Sequence, residues 1–255
     1  MPRIREIWDG VLKRGREGTY FENFPASLHD NPVKRKYLIH TEDELAKLDT
    51  AAWVHLKAQV LPLFENRDPV RGWQAAFDKL NEAKGYNYLA RLGCVEIAFI
   101  PPSTASGRKT PDLQGRLGTD LVLCEVKTIN CSEIEAESRS AVALGEIVSG
   151  STQRALSDGF FCKLTATLKT ANTQMTSYCS DHSSRQIVYV VLNFDDLLNE
   201  YVEDYLGQIQ TFIGTASLPK VEIALDVKPR FYFATSESPS SRLLVRSSDG
   251  SWPVM

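Results

Sequence analysis

Residues 110–130, TPDLQGRLGTDLVLCEVKTIN, hold two strand-like segments joined by a short turn around Gly118. This pattern predicts a β-hairpin. Residues 121–124 are apolar at every position, which is typical of a central strand with both faces covered. The run nevertheless ends in residues 125–127, Glu-Val-Lys, so a strand that reads as buried carries an acid and a lysine at its end.

The pattern of this hairpin predicts where its charged side chains lie. Alternation along a strand directs Glu125 and Lys127 to one face and Val126 to the other. A turn within residues 115–119 would return Asp112 to the side of Glu125. Two carboxylates that meet beside a buried strand need a compensating positive charge, or their pKa values must rise. Carboxylate oxygens select a hard cation such as Mg²⁺, which also binds waters and substrate phosphates.

The lysine adds a second element to this chemistry. Lys127 can bind a carboxylate, contact a phosphate or help to activate a metal-bound water. A bound metal makes a nucleophile from water and stabilises a leaving oxygen, and a lysine adds positive charge where the transition state becomes more negative. Carboxylates, Mg²⁺ and a lysine together indicate a site for phosphodiester hydrolysis.

The stretch resembles the PD-(D/E)XK nuclease superfamily, which includes many restriction endonucleases, resolvases and repair nucleases. Pro111-Asp112 matches the PD of that family, and Glu125-Val126-Lys127 matches its (D/E)XK. The resemblance implies a restriction-endonuclease-like core and an Mg²⁺-dependent endonuclease acting on DNA, with Mn²⁺ as a substitute ion. It implies that Asp112 and Glu125 bind the metal and that Lys127 serves the water or the phosphate.

Further residues fit the same resemblance. Family members often carry a glutamate on the helix before the first strand, for which Glu82 is the candidate and a third expected metal ligand. They often carry a glutamine on the helix after the motif strand, for which Gln174 is the candidate. The basic residues Arg108, Lys109 and Arg116 lie near the expected site in sequence, where they could contact DNA phosphates.

Each of these residues also has an ordinary interpretation. Pro-Asp is common turn chemistry, and Glu125 and Lys127 could form an ion pair at a sheet end that contributes little to stability. A helical glutamate such as Glu82 is usually solvated, and Asp78 and Glu96 compete with it for any metal role. The glutamine and the three basic residues fit an ordinary helix surface and a solvated loop.

The organisation of the chain predicts an α/β protein with a central mixed β-sheet flanked by helices. Residues 1–70 are expected to form a helical N-terminal extension or subdomain. Residues 71–255 are expected to form the nuclease-like domain, with its core at about 72–195 and an insertion at about 131–160. The insertion and the N-terminal segment could read DNA sequence or form a homodimer.

Local patterns predict the individual elements. Residues 23–40 read as irregular, and a helix is expected to start at Thr41 as N-cap, with Glu44 at the capping-box position and a break near Pro62. Later elements are expected in the following order: a helix over 72–93 ended by Gly93, a strand over 94–100, the hairpin, a helix over 163–178, a strand over 187–192, a helix over 195–214, and strands over 221–227 and 230–236. The last twenty residues read as polar and loop-rich.

Composition limits the class of protein. The net charge is −3 and the pI about 5.9, so no global positive charge indicates a nucleic-acid partner, and DNA binding would need a local basic groove.

The five cysteines contain no Cys-x-x-Cys pair, which favours a reduced, cytoplasmic protein. Cys179 and His182 lack a second ligand pair for zinc, and the histidines are assigned no role. No segment reads as a secretory signal or a membrane span.

Three alternatives stay open beside a restriction-like nuclease. The first is a nuclease of DNA repair or of a mobile element. The second is a nuclease-like fold that binds or assembles without catalysis. The third is an unrelated α/β domain with a chance match to the short motif.

Overall fold

The chain folds as an α/β protein with a six-stranded, open, mixed sheet and flanking helices, which confirms the expected coarse class. The structure is a computed structural model and describes residues 1–15, 17–69, 71–103, 109–130, 155–179, 184–194, 202–219, 221–229 and 242–248. The strands follow one another across the sheet in chain order. They are β1 Val95–Phe99, β2 Leu113–Leu117, β3 Asp120–Ile129, β4 Arg185–Phe194, β5 Glu222–Pro229 and β6 Arg242–Arg246.

The sheet is mixed because its strand pairs run in both senses. The pairs β1/β2, β2/β3 and β5/β6 are antiparallel, and β4/β5 is parallel. The chain divides into two compact units, one formed by residues 1–126 with 177–185 and one by residues 127–176 with 186–255.

The first unit contains most of the described helices. They are α1 Pro2–Leu12, α2 Phe24–Asp30, α3 Pro32–Ala46, α4 Thr50–Val60, a 3₁₀ helix Leu61–Phe64, α5 Gln74–Leu80 and α6 Glu82–Arg91. An aromatic cluster fills the space between several of them, with edge-on ring contacts such as Phe21–Phe24 at 4.8 Å and Phe64–Phe77 at 5.6 Å between centroids. Such pairs add to the stabilisation from burial alone.

The N-terminal helices differ from the sequence prediction at their boundaries. The stretch expected to be irregular forms α2 and α3, because Asn31 accepts from the Lys34 N–H at 2.8 Å and Pro32 lies in the first turn of α3. Thr41 is therefore not an N-cap: it lies inside α3, and its hydroxyl donates to the Tyr37 carbonyl at 3.0 Å. A new helix begins after Asp49, whose carboxylate accepts from the Ala52 N–H at 2.8 Å. The break before Pro62 is confirmed, since α4 ends at Val60.

The predicted helix over 72–93 is interrupted. It forms α5 and α6 with a break at Asn81, a residue type that favours caps and turns over helix interiors. The predicted stop at Gly93 is confirmed, because this glycine adopts a φ of 84° that few other residues tolerate.

The second unit contains the two remaining described helices, α7 Asp158–Tyr178 and α8 Val202–Thr215. The predicted apolar stripe of α7 is fully buried, with Leu164, Leu168, Ala171 and Met175 each at 0% exposure. The helix starts five residues earlier than expected, inside the segment interpreted as an insertion, because Ser157 caps it through the Phe160 N–H at 3.2 Å.

The C-terminal prediction needs one correction. The expected loop-rich tail contains β6, which pairs with β5 through the short apolar run 243–245. The predicted strands at β1, β4 and β5 are confirmed. Residues 131–154 of the expected insertion, residues 195–201 and the strand expected over 230–236 lie outside the described residues. None of the described helices combines the length and the apolar character needed to cross a membrane.

Candidate active site

The candidate site is built on the hairpin of β2 and β3, which closes through the two-residue turn Gly118-Thr119. Gly118 takes a φ of 62°, as tight hairpin turns require. The register pairs Leu113 with Cys124, so one step further along the ladder sets Asp112 opposite Glu125. Side chains directly opposite in an antiparallel pair lie on the same face and close together. The prediction that the hairpin returns Asp112 to Glu125 is confirmed.

Hydrogen bonds from backbone amides join Asp112 to Glu125 and to the residue after it, Val126. The backbone N–H of Asp112 donates to Glu125 Oε2 at 3.2 Å, and the backbone N–H of Val126 donates to Asp112 Oδ2 at 2.8 Å. The Asp112 carbonyl also accepts from the Ile100 N–H at 2.9 Å, which ties this residue to the end of β1. Each carboxylate therefore has one oxygen fixed by a backbone amide. Such contacts hold the two side chains at the end of the sheet with little freedom.

Helix α6 brings a third carboxylate to the hairpin. Glu82 is the first residue of α6 and is only 7% exposed, so the interpretation of a solvated helical glutamate is wrong. Glu82 hydrogen-bonds the side chain of Asp112. The contact depends on Gly85, one turn later, where a Cβ would lie 2.4 Å from Val126 Cγ2 and 3.1 Å from Leu113 Cδ1. The missing side chain lets α6 approach the hairpin closely.

The environment of Glu82 is costly for a negative charge. Burial raises the pKa of Glu82 to about 8, and the negative charge of Asp112 and the hydrogen bond with its side chain act in the same direction. The ammonium of Lys79, 2.5 Å from Glu82 Oε1, lowers that pKa but does not outweigh the burial. Glu125, at 1% exposure, is buried still more deeply. Together these three acids form what is called here the carboxylate cluster: Glu82, Asp112 and Glu125.

The donor chemistry of the carboxylate cluster fits a hard divalent cation. Its oxygens are those that Mg²⁺ prefers, and a cation would offset the repulsion between Glu82 and Asp112. Among the described residues, no group of three or more His, Cys, Asp or Glu side chains has the spacing of a ready metal cage. Mg²⁺ usually takes one or two carboxylates and completes its shell with waters and substrate phosphates, so a full protein cage is not a requirement.

Two of the predicted residues belong to the second unit. Lys127 is half-buried on β3, and Gln174 is half-buried on α7, and both have polar or charged partners. Lys127 is expected to act on the water or the phosphate, and Gln174 is expected to support the site. Both roles stay predictions.

The predicted basic residues do not form one group. Lys109 is exposed three residues before Asp112, and Arg108 lies outside the described residues. Arg116 is near the turn of the hairpin, at the opposite end of β2 from Asp112, where it faces the carboxylate of Glu96 at 3.4 Å. Both partners of that pair are more than half exposed. Glu96, which competed with Glu82 for a metal role, therefore pairs with Arg116 at the turn end of the hairpin.

Sequence reasoning missed Lys79, which contacts the carboxylate cluster through Glu82, and His55, which lies near that lysine. Lys79 pairs with Glu82, and its charge also lowers the pKa of His55, although burial contributes more to that shift. The His55 ring stacks on Phe99 with centroids 5.3 Å apart and planes within 3° of parallel. Side chains three residues apart on a helix lie next to each other. The spacing of Lys79 and Glu82 could therefore have predicted their ion pair.

Comparison of the chain with protein-family models, curated proteins and solved structures yields no match. The resemblance to PD-(D/E)XK nucleases therefore rests on the residues of this chain alone.

Proposed function

We propose that the protein is an Mg²⁺-dependent endonuclease that hydrolyses phosphodiester bonds in DNA. The observation that carries the proposal is the convergence of Glu82, Asp112 and Glu125 at the end of a buried hairpin. Glu82 and Glu125 are buried and Asp112 is half-buried, and the raised pKa of Glu82 indicates that its ion pair with Lys79 does not offset the burial of its charge. Strongly perturbed acids of this kind are common at catalytic sites.

The carboxylates of Glu82, Asp112 and Glu125 would act as the ligands of the metal. A divalent ion held there would lower the pKa of a bound water and stabilise the leaving oxygen. The backbone bonds to Asp112 and Glu125 keep the two side chains in place before substrate arrives, which is the arrangement that makes charge stabilisation effective. Lys127 is assigned to the water or the scissile phosphate on the motif alone.

A direct test is DNA cleavage by the full chain. Plasmid, linear duplex and single-stranded DNA are incubated with the protein and Mg²⁺, Mn²⁺ or EDTA. We expect cleavage with either metal and none in EDTA. Nicking or cutting of closed circular plasmid identifies an endonuclease. Cutting at fixed positions supports restriction-like action, whereas preference for branched or damaged DNA supports the alternative of a repair or mobile-element nuclease.

Variants connect cleavage to the site. Asp112→Asn and Lys127→Ala should each lower the cleavage rate by about 100-fold or more, the size of effect seen when one stabilising group is removed from an active site. The matched control is Asp120→Asn, on the same strand β3 but exposed beside the hairpin turn. Wild-type cleavage by either site variant, with folding intact, would contradict the assignment of that residue.

A second candidate function is a nuclease-like fold that binds or assembles without catalysis. The observation in its favour is that the described residues contain no ready three-ligand metal cage. Isothermal titration of the wild-type protein with Mg²⁺ and Mn²⁺ separates the two functions. Absence of binding by either ion, together with absence of cleavage, would favour the silent module.

A further inference from the structure

Lys79 forms an ion pair with Glu82, the member of the carboxylate cluster that lies on a helix. It lies in the last turn of α5, and its ammonium reaches across the break at Asn81 to Glu82 Oε1. The lysine side chain is 27% exposed and the glutamate side chain 9% exposed. A second lysine–glutamate pair of the same spacing, Lys47–Glu44, is longer at 3.2 Å and much more exposed, at 57% and 31%.

The Lys79 ion pair occupies an oxygen that a metal would need. Glu82 Oε1 is engaged by the ammonium, and the Glu82 side chain also hydrogen-bonds Asp112. One oxygen each of Asp112 and Glu125 is held by a backbone amide. The ammonium of Lys79 therefore occupies an oxygen of Glu82 that a divalent cation would bind, and the two cations would repel each other if they shared that ligand.

We propose that Lys79 acts as an internal competitor of the divalent ion: its ammonium occupies Glu82 in the metal-free protein and must release Glu82 when the ion binds. The inference rests on the proposed function, because it takes the carboxylate cluster as the metal site. It makes Lys79 a positioning residue that sets the affinity for the ion.

The competing role and a merely structural role predict opposite signs. If Lys79 competes, loss of its charge should tighten metal binding, by about fivefold or more if the coupling is typical of two ligands that oppose each other. If Lys79 only holds Glu82 in a useful position, loss of the ion pair should weaken binding. Lys79→Met keeps most of the length of the apolar stem and removes the charge, whereas Lys79→Arg keeps the charge.

The experiment is isothermal titration of the full chain with Mn²⁺ after removal of metals with EDTA. The proteins are wild type, Lys79→Met, Lys79→Gln, Lys79→Arg and Asp112→Asn, with Lys47→Met as the matched control, and circular dichroism checks that each is folded. We expect at least about fivefold tighter Mn²⁺ binding by Lys79→Met and Lys79→Gln. The Lys79→Arg and Lys47→Met variants should bind within about twofold of wild type, since neither removes the competing charge.

The outcomes separate this inference from the proposed function. If wild type binds Mn²⁺ and loses it in Asp112→Asn, the metal site stands, and equal or weaker binding by the folded neutral Lys79 variants overturns the competition alone. If Mn²⁺ binds to none of these proteins, both the metal site and the competition are overturned. Binding by Lys79→Met but not by wild type supports the competition in its strongest form.

Discussion

Two buried glutamates of the same unit show how differently one residue type can be accommodated. Glu42 on α3 and Glu82 on α6 are each 7% exposed. Glu42 accepts from the backbone N–H groups of Arg3 at 3.0 Å and Ile4 at 2.8 Å, which lie in the first turn of α1. Its charge is matched by helix amides that have no partner within their own helix. Glu82 instead meets a second acid, Asp112, and one lysine.

The comparison separates a structural acid from a candidate functional one. The donors to Glu42 are backbone amides of α1, and the Arg3 side chain adds a bond to the Leu48 carbonyl at 2.7 Å, just past the end of α3. At Glu82 the surrounding groups leave an excess of negative charge. Burial without matched donors lowers stability, and such a cost is typical of sites that bind a charged ligand.

The largest expected effect that sharpens this comparison is the pH dependence contributed by Glu82. Its pKa is raised to about 8 in the folded protein from an ordinary value of 4.5. The folded state therefore holds the proton more tightly than the unfolded state. The stabilisation is fully present below about pH 4.5, and it is lost as the pH rises through about 8. A shift of this size corresponds to a few kcal/mol, roughly, and the titration belongs to the Glu82–Asp112 pair jointly.

Glu82→Gln tests that dependence. In EDTA, urea unfolding between pH 4 and 9 should give similar free energies for variant and wild type at the acid end. The variant should become the more stable protein as the pH rises, because an amide has no proton to lose. Parallel stability curves for the two proteins over this range would show that Glu82 is as well matched as Glu42, and the comparison would break.

The next effect concerns Glu42. Glu42→Ala leaves two amides in the first turn of α1 without their acceptor, and we expect a loss of about 2–3 kcal/mol in the free energy of unfolding. The matched control is Glu22→Ala, which removes an exposed carboxylate from the Gly18 N–H and should cost under about 0.5 kcal/mol. Urea denaturation at pH 7 measures both. A cost for Glu42→Ala no greater than that of the control would contradict the structural role.

The parts of this architecture that sequence predicts are the local ones. The hairpin follows from its turn glycine and apolar run, and the meeting of Asp112 with Glu125 follows from the register that the turn imposes. The burial of Glu82 is not readable from its helix, because it depends on how closely α6 approaches β2 and β3. Glu42 is equally hidden, since its partners lie 38 or more residues away in the chain.

The helix and strand boundaries that were predicted wrongly are those where a short local motif competes with a stronger feature of a neighbouring segment. Thr41 and Glu44 form a plausible capping box, but Asn31-Pro32 starts the helix ten residues earlier. The strand β6 rests on only three apolar residues, 243–245, and needs β5 beside it to be stable. A glycine inside a helix, such as Gly85, lowers helix propensity, but in the structure its missing side chain is what lets α6 contact the hairpin.

The smallest of these effects, and the one that tests the geometry of the cluster most directly, is Gly85→Ala. In an exposed helix this change gains up to about 1 kcal/mol. Here the new methyl group would lie 2.4 Å from Val126 Cγ2, and a β-branched side chain on a strand has little freedom to move aside. We expect a net loss of about 1–2 kcal/mol in the free energy of unfolding, as for other overpacked sites.

Gly207→Ala is the matched control, because Gly207 lies inside α8 and no described atom comes within 4 Å of the place that its new methyl group would take; it should gain about 0.5–1 kcal/mol. In the double variant Gly85→Ala, Val126→Ala the clash is removed, so its cost should be smaller than the sum of the two single costs by about 0.5 kcal/mol or more. Additive costs would mean that α6 is free to move away from the hairpin. The position of Glu82 over Asp112 would then not be imposed by close packing at Gly85, and the contrast with the firmly held Glu42 would lose its structural basis.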